Sequence, residues 1–311
     1  MFSRELASHG RAFVNYQALS QVEVKDMIID DFPAKLFFNP ARVRSVMADV
    51  SPEALQKRAC FLCPDGVEEN QLTHNWESPT GHTYYIRVNP FPIFSPHFTV
   101  SSSVHERQEL LPHLEAMLHL AKELPEMTIF YNGPMCGASA PDHMHFQAVP
   151  RHSLPIEDHF STNYANAILV QETDLQSHLE AVKRVLAMGT IPEEASQTGS
   201  LTIGASHAEE YEPRWNIVSW YEPDSNSPQD GLTAADSQTS NSRRRSFNTI
   251  VFFRKESRPM CFFAPEEERI LFSPATVEMA GIGIVANRES FDRLTPSKLR
   301  DIIREVADEI I

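Results

Sequence analysis

Cysteine is scarce in this 311-residue chain: Cys60, Cys63, Cys136 and Cys261 are the only four, too few and too unevenly spaced for a disulfide framework. Positive charge is scarce as well. Lys and Arg number 27 against 42 Asp and Glu, a formal net charge of -15, and no stretch is basic enough to track a nucleic-acid backbone. Long apolar runs are missing, none approaching the ~18–20 residues that a membrane span takes. The opening MFSRELASHGRAF has neither the continuous apolar segment nor the small-residue cleavage site of a secretory leader. The expectation is therefore a cytoplasmic protein with no membrane or nucleic-acid polymer as partner. No short-period repeat is visible. What is present, 41% hydrophobic and 22% charged residues, is the composition of a globular protein with a sizeable core, in one large domain or two smaller ones.

Along the chain, residues 1–58 mix helical and extended signals, with a short apolar stretch from Lys35 to Phe38. TYYIRV at 83–88 reads as a strand stopped by Asn-Pro-Phe-Pro, and the alternating HFTVSSS from His97 reads as its hairpin partner. Over 106–124, Leu110, Leu111, Leu114, Met117, Leu118 and Ala121 recur at helical spacing and predict an amphipathic helix. Strands follow at 127–132 and 143–149, a helix near 174–188, and strands at 214–222 and 248–255. Between those last two strands, about 223–245, a polar connector without periodicity predicts a mobile surface loop. The final helix is marked by Thr295 as N-cap, Pro296 in the first turn, and a stripe of Leu299, Ile302, Ile303, Val306 and Ile310. The alternation of strands and helices predicts an α+β fold.

The chemistry concentrates in NGPMCGASAPDHMHFQ, 132–147. On an extended strand His143, His145 and Gln147 share one face, while Met144, Phe146 and Ala148 face the core. Just upstream, Gly133, Gly137, Ala138 and Ser139 form a loop of small residues whose backbone N–H groups can approach an anion. A neutral imidazole beside a phosphate seat can attack phosphorus, and His145, central in the trio, suits that role. Gln147 can donate an amide N–H to a phosphate oxygen without moving protons to water, which favours transfer over hydrolysis. The rival reading of the His-x-His pair is a shared catalytic metal. Cys60-Phe-Leu-Cys63 can chelate one Zn²⁺ given two further ligands, for which His105 and His143 are the candidates, or can be two buried unligated cysteines. Arg87 and Asn89, at the end of a strand, are candidate phosphate and nucleotide contacts. Arg254, Lys255 and Arg258 read more simply as a solvated strand end.

HFTVSSSVH, HMHFQ and the loop between them resemble the histidine-triad superfamily. Within it, they are similar to the branch of galactose-1-phosphate uridylyltransferase, dinucleoside-polyphosphate phosphorylases and GDP-L-galactose phosphorylases. The resemblance implies two related halves with antiparallel sheets and packed helices, 1–195 carrying the catalytic strand and 196–311 the remainder. It implies His145 as the nucleophile, Gln147 and His143 beside it, and Asn132, Gly137, Ser139, Asn89 and Arg87 around phosphate and nucleotide. It places Cys60, Cys63, His105 and His143 where zinc-carrying uridylyltransferases place their metal ligands; a zinc ion bound there is expected to be structural, since protein would fill all four positions, and no organic cofactor is expected. Asp142 is an extra residue between Pro141 and His143 relative to the uridylyltransferase pattern. The implied partners are a nucleotide-sugar or dinucleoside polyphosphate as donor and phosphate or a sugar phosphate as acceptor. A homodimer is one of the oligomeric states this allows. Against this stand three alternatives: a histidine-triad hydrolase, a metal-dependent hydrolase using His143 and His145, and a non-catalytic nucleotide-binding protein.

Overall fold

The computed structural model describes residues 10–43, 47, 49–67, 71–189, 212–224 and 245–309. Most of the expected loop at 223–245, and Ile310 of the expected terminal stripe, lie outside the described residues. Eleven strands are described: β1 (Glu23–Ile29), β2 (Phe32–Phe38), β3 (His74–Glu77), β4 (Thr83–Val88), β5 (Phe98–Ser102), β6 (Met127–Asn132), β7 (His145–Pro150), β8 (Ala167–Glu172), β9 (Trp215–Glu222), β10 (Ser246–Phe253) and β11 (Ile282–Val285). Eight of them form one sheet in the order β3-β4-β5-β7-β6-β9-β10-β8, every neighbouring pair antiparallel. Strands from both sides of position 195 thus share it. A small sheet, β1-β2-β11, joins an antiparallel pair to a parallel one.

The large sheet is the middle of three layers, which is why β6 and β10 are buried along their whole length. Ile129, Tyr131, Phe146, Ala148, Trp215, Ile217 and Val251 pack against the helices Leu114–Glu123 and Leu175–Met188. Phe130, Val149, Val218, Ile250 and Phe252 pack on the opposite face against the small sheet and the helix Pro296–Val306. That last helix is capped as its sequence predicts, Thr295 accepting a hydrogen bond from the Lys298 N–H, with Leu299, Ile302, Ile303 and Val306 buried. No described helix is long and apolar enough to cross a membrane.

Two expectations are corrected. The helix predicted from 106 begins at Leu114, preceded by a 3-10 turn at Leu111–His113. Inside a helix running from 106, Pro112 would have no N–H for the carbonyl four residues back, and it sits instead in the opening turn. The residues ahead of it bond sideways instead: Met144 N–H to Glu106 O, Gln108 N–H to Pro141 O and Leu110 N–H to Glu212 Oε2. Arg254 is no solvated strand end. It is buried, and its guanidinium donates to Asn216 Oδ1 and to the backbone carbonyls of Val306, Pro274, Glu256 and Ser257.

Candidate active site

β7 lies between β5 and β6, so its outward side chains fall into cross-strand rows. One row runs Arg87, Thr99, Gln147, Phe130, Val218; the next sets Tyr85 beside Ser101 and Ser101 beside His145. Alternation puts His145 and Gln147 on one face and Phe146 in the helix-side core. His143 departs from the expected trio. It precedes the strand, and its ring turns to Cys60 and Cys63, with Nδ1 3.2 and 3.5 Å from the two sulfurs.

The His145 imidazole has its Nδ1 2.8 Å from the carbonyl oxygen of His143. A carbonyl only accepts, so Nδ1 carries the proton. Burial, the largest influence, brings the ring down to about 4, so at neutral pH it is uncharged and Nε2 holds a bare lone pair. That is the form in which a histidine is a nucleophile.

Gln147 is oriented by a residue that sequence reasoning passed over. His97, fully buried, accepts the Ile93 N–H at its Nδ1 and therefore donates from Nε2 to Gln147 Oε1 at 2.9 Å. Burial, reinforced by the charge of Arg42, holds His97 neutral, down to about 3. Asn89 donates to the same oxygen at 3.4 Å and to Thr99 Oγ1 at 3.1 Å, its own oxygen taken by the Phe91 N–H. With the Gln147 oxygen occupied, its N–H₂ end is the one left to donate. The only sequence signal for His97 is its place at the head of a strand, two positions before Thr99, which the register sets opposite Gln147.

The loop between β6 and β7 is fastened from behind. Asn132 Oδ1 accepts from the Thr276 N–H at 2.9 Å and lies 2.7 Å from Thr276 Oγ1, so its N–H₂ end is turned the other way. Asn216 donates to Cys136 O at 2.8 Å and is held by Arg254 at 2.7 Å. Gly137 has φ +97, and a Cβ there would run into Ala275, so only glycine fits. Gly137 is exposed and Ser139 half-buried, and neither has a hydrogen-bond partner among the described residues. Arg87 is buried. Its Nε donates to Thr73 Oγ1 at 2.9 Å and its Nη1 to Leu62 O at 2.8 Å, which steadies the turn between the two cysteines.

Cys60, Cys63, His105 and His143 bring four ligand atoms within 4.8 Å of one another. The nitrogen–sulfur separations of 3.2, 3.3 and 3.5 Å match the ~3.5 Å expected across a tetrahedron with Zn–S near 2.3 and Zn–N near 2.0 Å. His105 reaches the cluster from the extended segment ahead of the helix. The His143 Nε2–H donates to Ser102 O at 2.9 Å, which fixes the tautomer that leaves Nδ1 for an ion. Burial opposes ionisation of Cys60, yet the His143 ring beside it and the Leu62 and Cys63 backbone N–H groups outweigh it and bring the thiol to about 6. Asp142, the extra residue, is bound by Arg58 at 2.5 Å and so ties the strand's approach to the cysteine segment. The residues present therefore fit a four-coordinate Zn²⁺.

The profile of a family described as "Domain of unknown function (DUF4922)" matches residues 1–150, which contain the whole cluster and β7 to its end. No curated protein matches the chain in sequence. Among solved structures, yeast Ap4A phosphorylase Apa2 aligns over 96% of this chain and 93% of its own, with TM-score 0.50 and 15% identity. The same yeast enzyme in complex with AMP gives TM-score 0.47 and 13% identity over 97% of this chain and 96% of its own. Its complex with Ap4A gives the same TM-score and identity over 96% of each chain. At these identities the likeness is one of architecture, and on it the chain has an α+β fold shared with yeast Ap4A phosphorylase Apa2.

Proposed function

We propose that the protein is a nucleotidyltransferase or phosphorylase that works by double displacement through His145. The observation that carries this is the pairing of His145 Nδ1 with the His143 carbonyl, which leaves an uncharged Nε2 lone pair on the face shared with Gln147. In the first step Nε2 attacks the α-phosphorus of a donor. The P–O bond to the leaving group breaks as the N–P bond forms, giving a nucleotidyl-histidine. In the second, phosphate or a sugar phosphate takes the nucleotidyl group and frees His145. Gln147 N–H₂, Asn132 N–H₂, the Ser139 hydroxyl and the loop amides from Gly137 onward donate to the phosphoryl oxygens, and Arg87 and Asn89 support the row beneath them. The resemblance of the motifs to the phosphorylase branch and the fold shared with a yeast phosphorylase make dinucleoside polyphosphates and nucleotide-sugars the donors to try first.

Zn²⁺ on Cys60, Cys63, His105 and His143 is part of this reading. With four protein ligands the ion would have no open position and would hold the His143 main chain. A hydrolytic metal shared by His143 and His145 finds no support, since the cluster contains His143 and not His145.

The test is intact-protein mass spectrometry after brief incubation with UDP-, GDP- and ADP-sugars and dinucleoside polyphosphates, wild type beside His145→Ala. The expected result is an acid-labile gain of one nucleotidyl unit in wild type alone, its mass naming the base. Turnover without any adduct would overturn the covalent route, and affinity that survives His145→Ala with no turnover would leave a binding protein. Product analysis with and without added phosphate separates a phosphorylase from a hydrolase.

A further inference from the structure

β6 and β7 pair from Met127 opposite Pro150 to Phe130 opposite Gln147, and there the ladder ends. Beyond that point β6 stays with β9, Asn132 opposite Asn216, while β7 stays with β5, His145 opposite Ser101. In unbroken register Tyr131 would next face Phe146, and after that Asn132 would face His145. The sheet forks between these two residues.

The side chain of Gln108 fills the fork. It is 1% exposed. Its Oε1 accepts the backbone N–H of His145 at 2.8 Å, and its Nε2 donates to the carbonyls of His145 at 3.0 Å and Asn132 at 2.9 Å. A primary amide has the donor and acceptor geometry of a peptide group, so Gln108 bonds where a strand neighbour would. Directly paired residues in an antiparallel ladder hold their Cα atoms ~4.5–5.5 Å apart, which leaves little room for a phosphate between two side chains. An amide interposed and bonded to both strands spreads them while keeping each fixed. The backbone of Gln108 is itself anchored, its N–H on Pro141 O and the neighbouring Glu106 O receiving the Met144 N–H.

We infer that Gln108 is a positioning residue for nucleotidyl transfer: it spaces the backbones of His145 and Asn132 so that a phosphoryl group fits between nucleophile and donor amide. This rests on the reading of His145 as nucleophile. A misplacement of a reacting atom by about 1 Å can cost on the order of 10²-fold in rate, so the effect belongs in the chemical step.

The experiment compares Gln108→Met, which keeps the side-chain length and removes all three bonds, with Val182→Ala, a core truncation in the helix Leu175–Met188 remote from the site. Rates of adduct formation are read at saturating donor by rapid quench, with Tm measured for each protein. The expected result is a fall of about 10²-fold for Gln108→Met, and a wild-type rate for Val182→Ala at a comparable loss of Tm. Equal rates in the two variants would overturn the inference. If Gln108→Met does not accumulate folded, Gln108→Glu keeps the oxygen that receives the His145 N–H and loses the donated bonds. Its rate is then set against the same control, with the same two readings. Absence of adduct in wild type is a separate result: it overturns the histidine mechanism, and this inference with it.

Discussion

At the scale of single residues, the candidate site is a set of amide and imidazole orientations, each fixed by a partner that can only donate or only accept. His97 is the most instructive. Because its Nδ1 receives the Ile93 N–H, its Nε2 must donate to Gln147, and the glutamine cannot flip without losing that bond. Replacing His97 by Phe should lower the rate of adduct formation at saturating donor by up to about tenfold, in line with a neutral hydrogen bond worth ~0.5–1.5 kcal/mol. In a Gln147→Ala background the same change should add little, because the two residues act as one unit. Full additivity of the two losses would show that His97 acts elsewhere. His97, Gln108 and Thr276 escape a sequence reading because nothing local marks them. Each acts on a residue 50, 37 or 144 positions away in the chain, and only the register of the sheet brings them together.

At the scale of elements, Thr276 shows how the segment after β10 holds the loop that follows β6. Its N–H and hydroxyl engage Asn132 Oδ1, and the preceding Ala275 abuts Gly137. Thr276→Val keeps the shape and removes the hydroxyl. It should raise the donor Kd several-fold while Thr276→Ser stays near wild type, measured by titration in His145→Ala so that no transfer intervenes. Equal affinities for the two variants would mean the loop is set without this contact. Much of the element list was legible beforehand. The strands at 83–88, 127–132 and 214–222 and the capped final helix follow from alternation and capping residues that act within a few positions. The false start of the helix at 106 comes from apolar spacing that continues through residues 110 and 111, although the Leu110 N–H bonds to Glu212 and Leu111 opens a 3-10 turn. His-x-His-x-Gln predicted a shared face correctly for His145 and Gln147. It failed for His143, because the strand starts two residues later and two thiols compete for that ring.

At the scale of the whole molecule, the proposed ion site and the proposed transfer site meet in one residue. The His143 ring faces the cysteines and its carbonyl holds the His145 proton. Purified protein should contain about one Zn²⁺ per chain by elemental analysis. Cys60→Ser should lower both the metal content and Tm, and slow adduct formation in parallel. Full metal content in Cys60→Ser would remove that residue from the ligand set. Away from the site, one more buried ring adds to the acid sensitivity that His97 and His145 share. His178 is fully buried, bonded through Nε2 to Thr249, and burial brings it from 6.5 down to about 4. The unfolded chain then binds the proton that the folded one refuses, so the stability this group supplies is present above about pH 6.5 and is lost as pH falls toward 4. His178→Gln should show a shallower fall of Tm across that window, and parallel curves would contradict it. The strand order has one more consequence, for the order of synthesis. Among the described residues β8 bonds only to β10, and the partners Glu172 and Phe247 stand 75 positions apart. At ~5–20 residues per second on the ribosome, a nascent chain carries β8 as an unpaired strand for several seconds, in which a chaperone or a neighbouring nascent chain can reach it first.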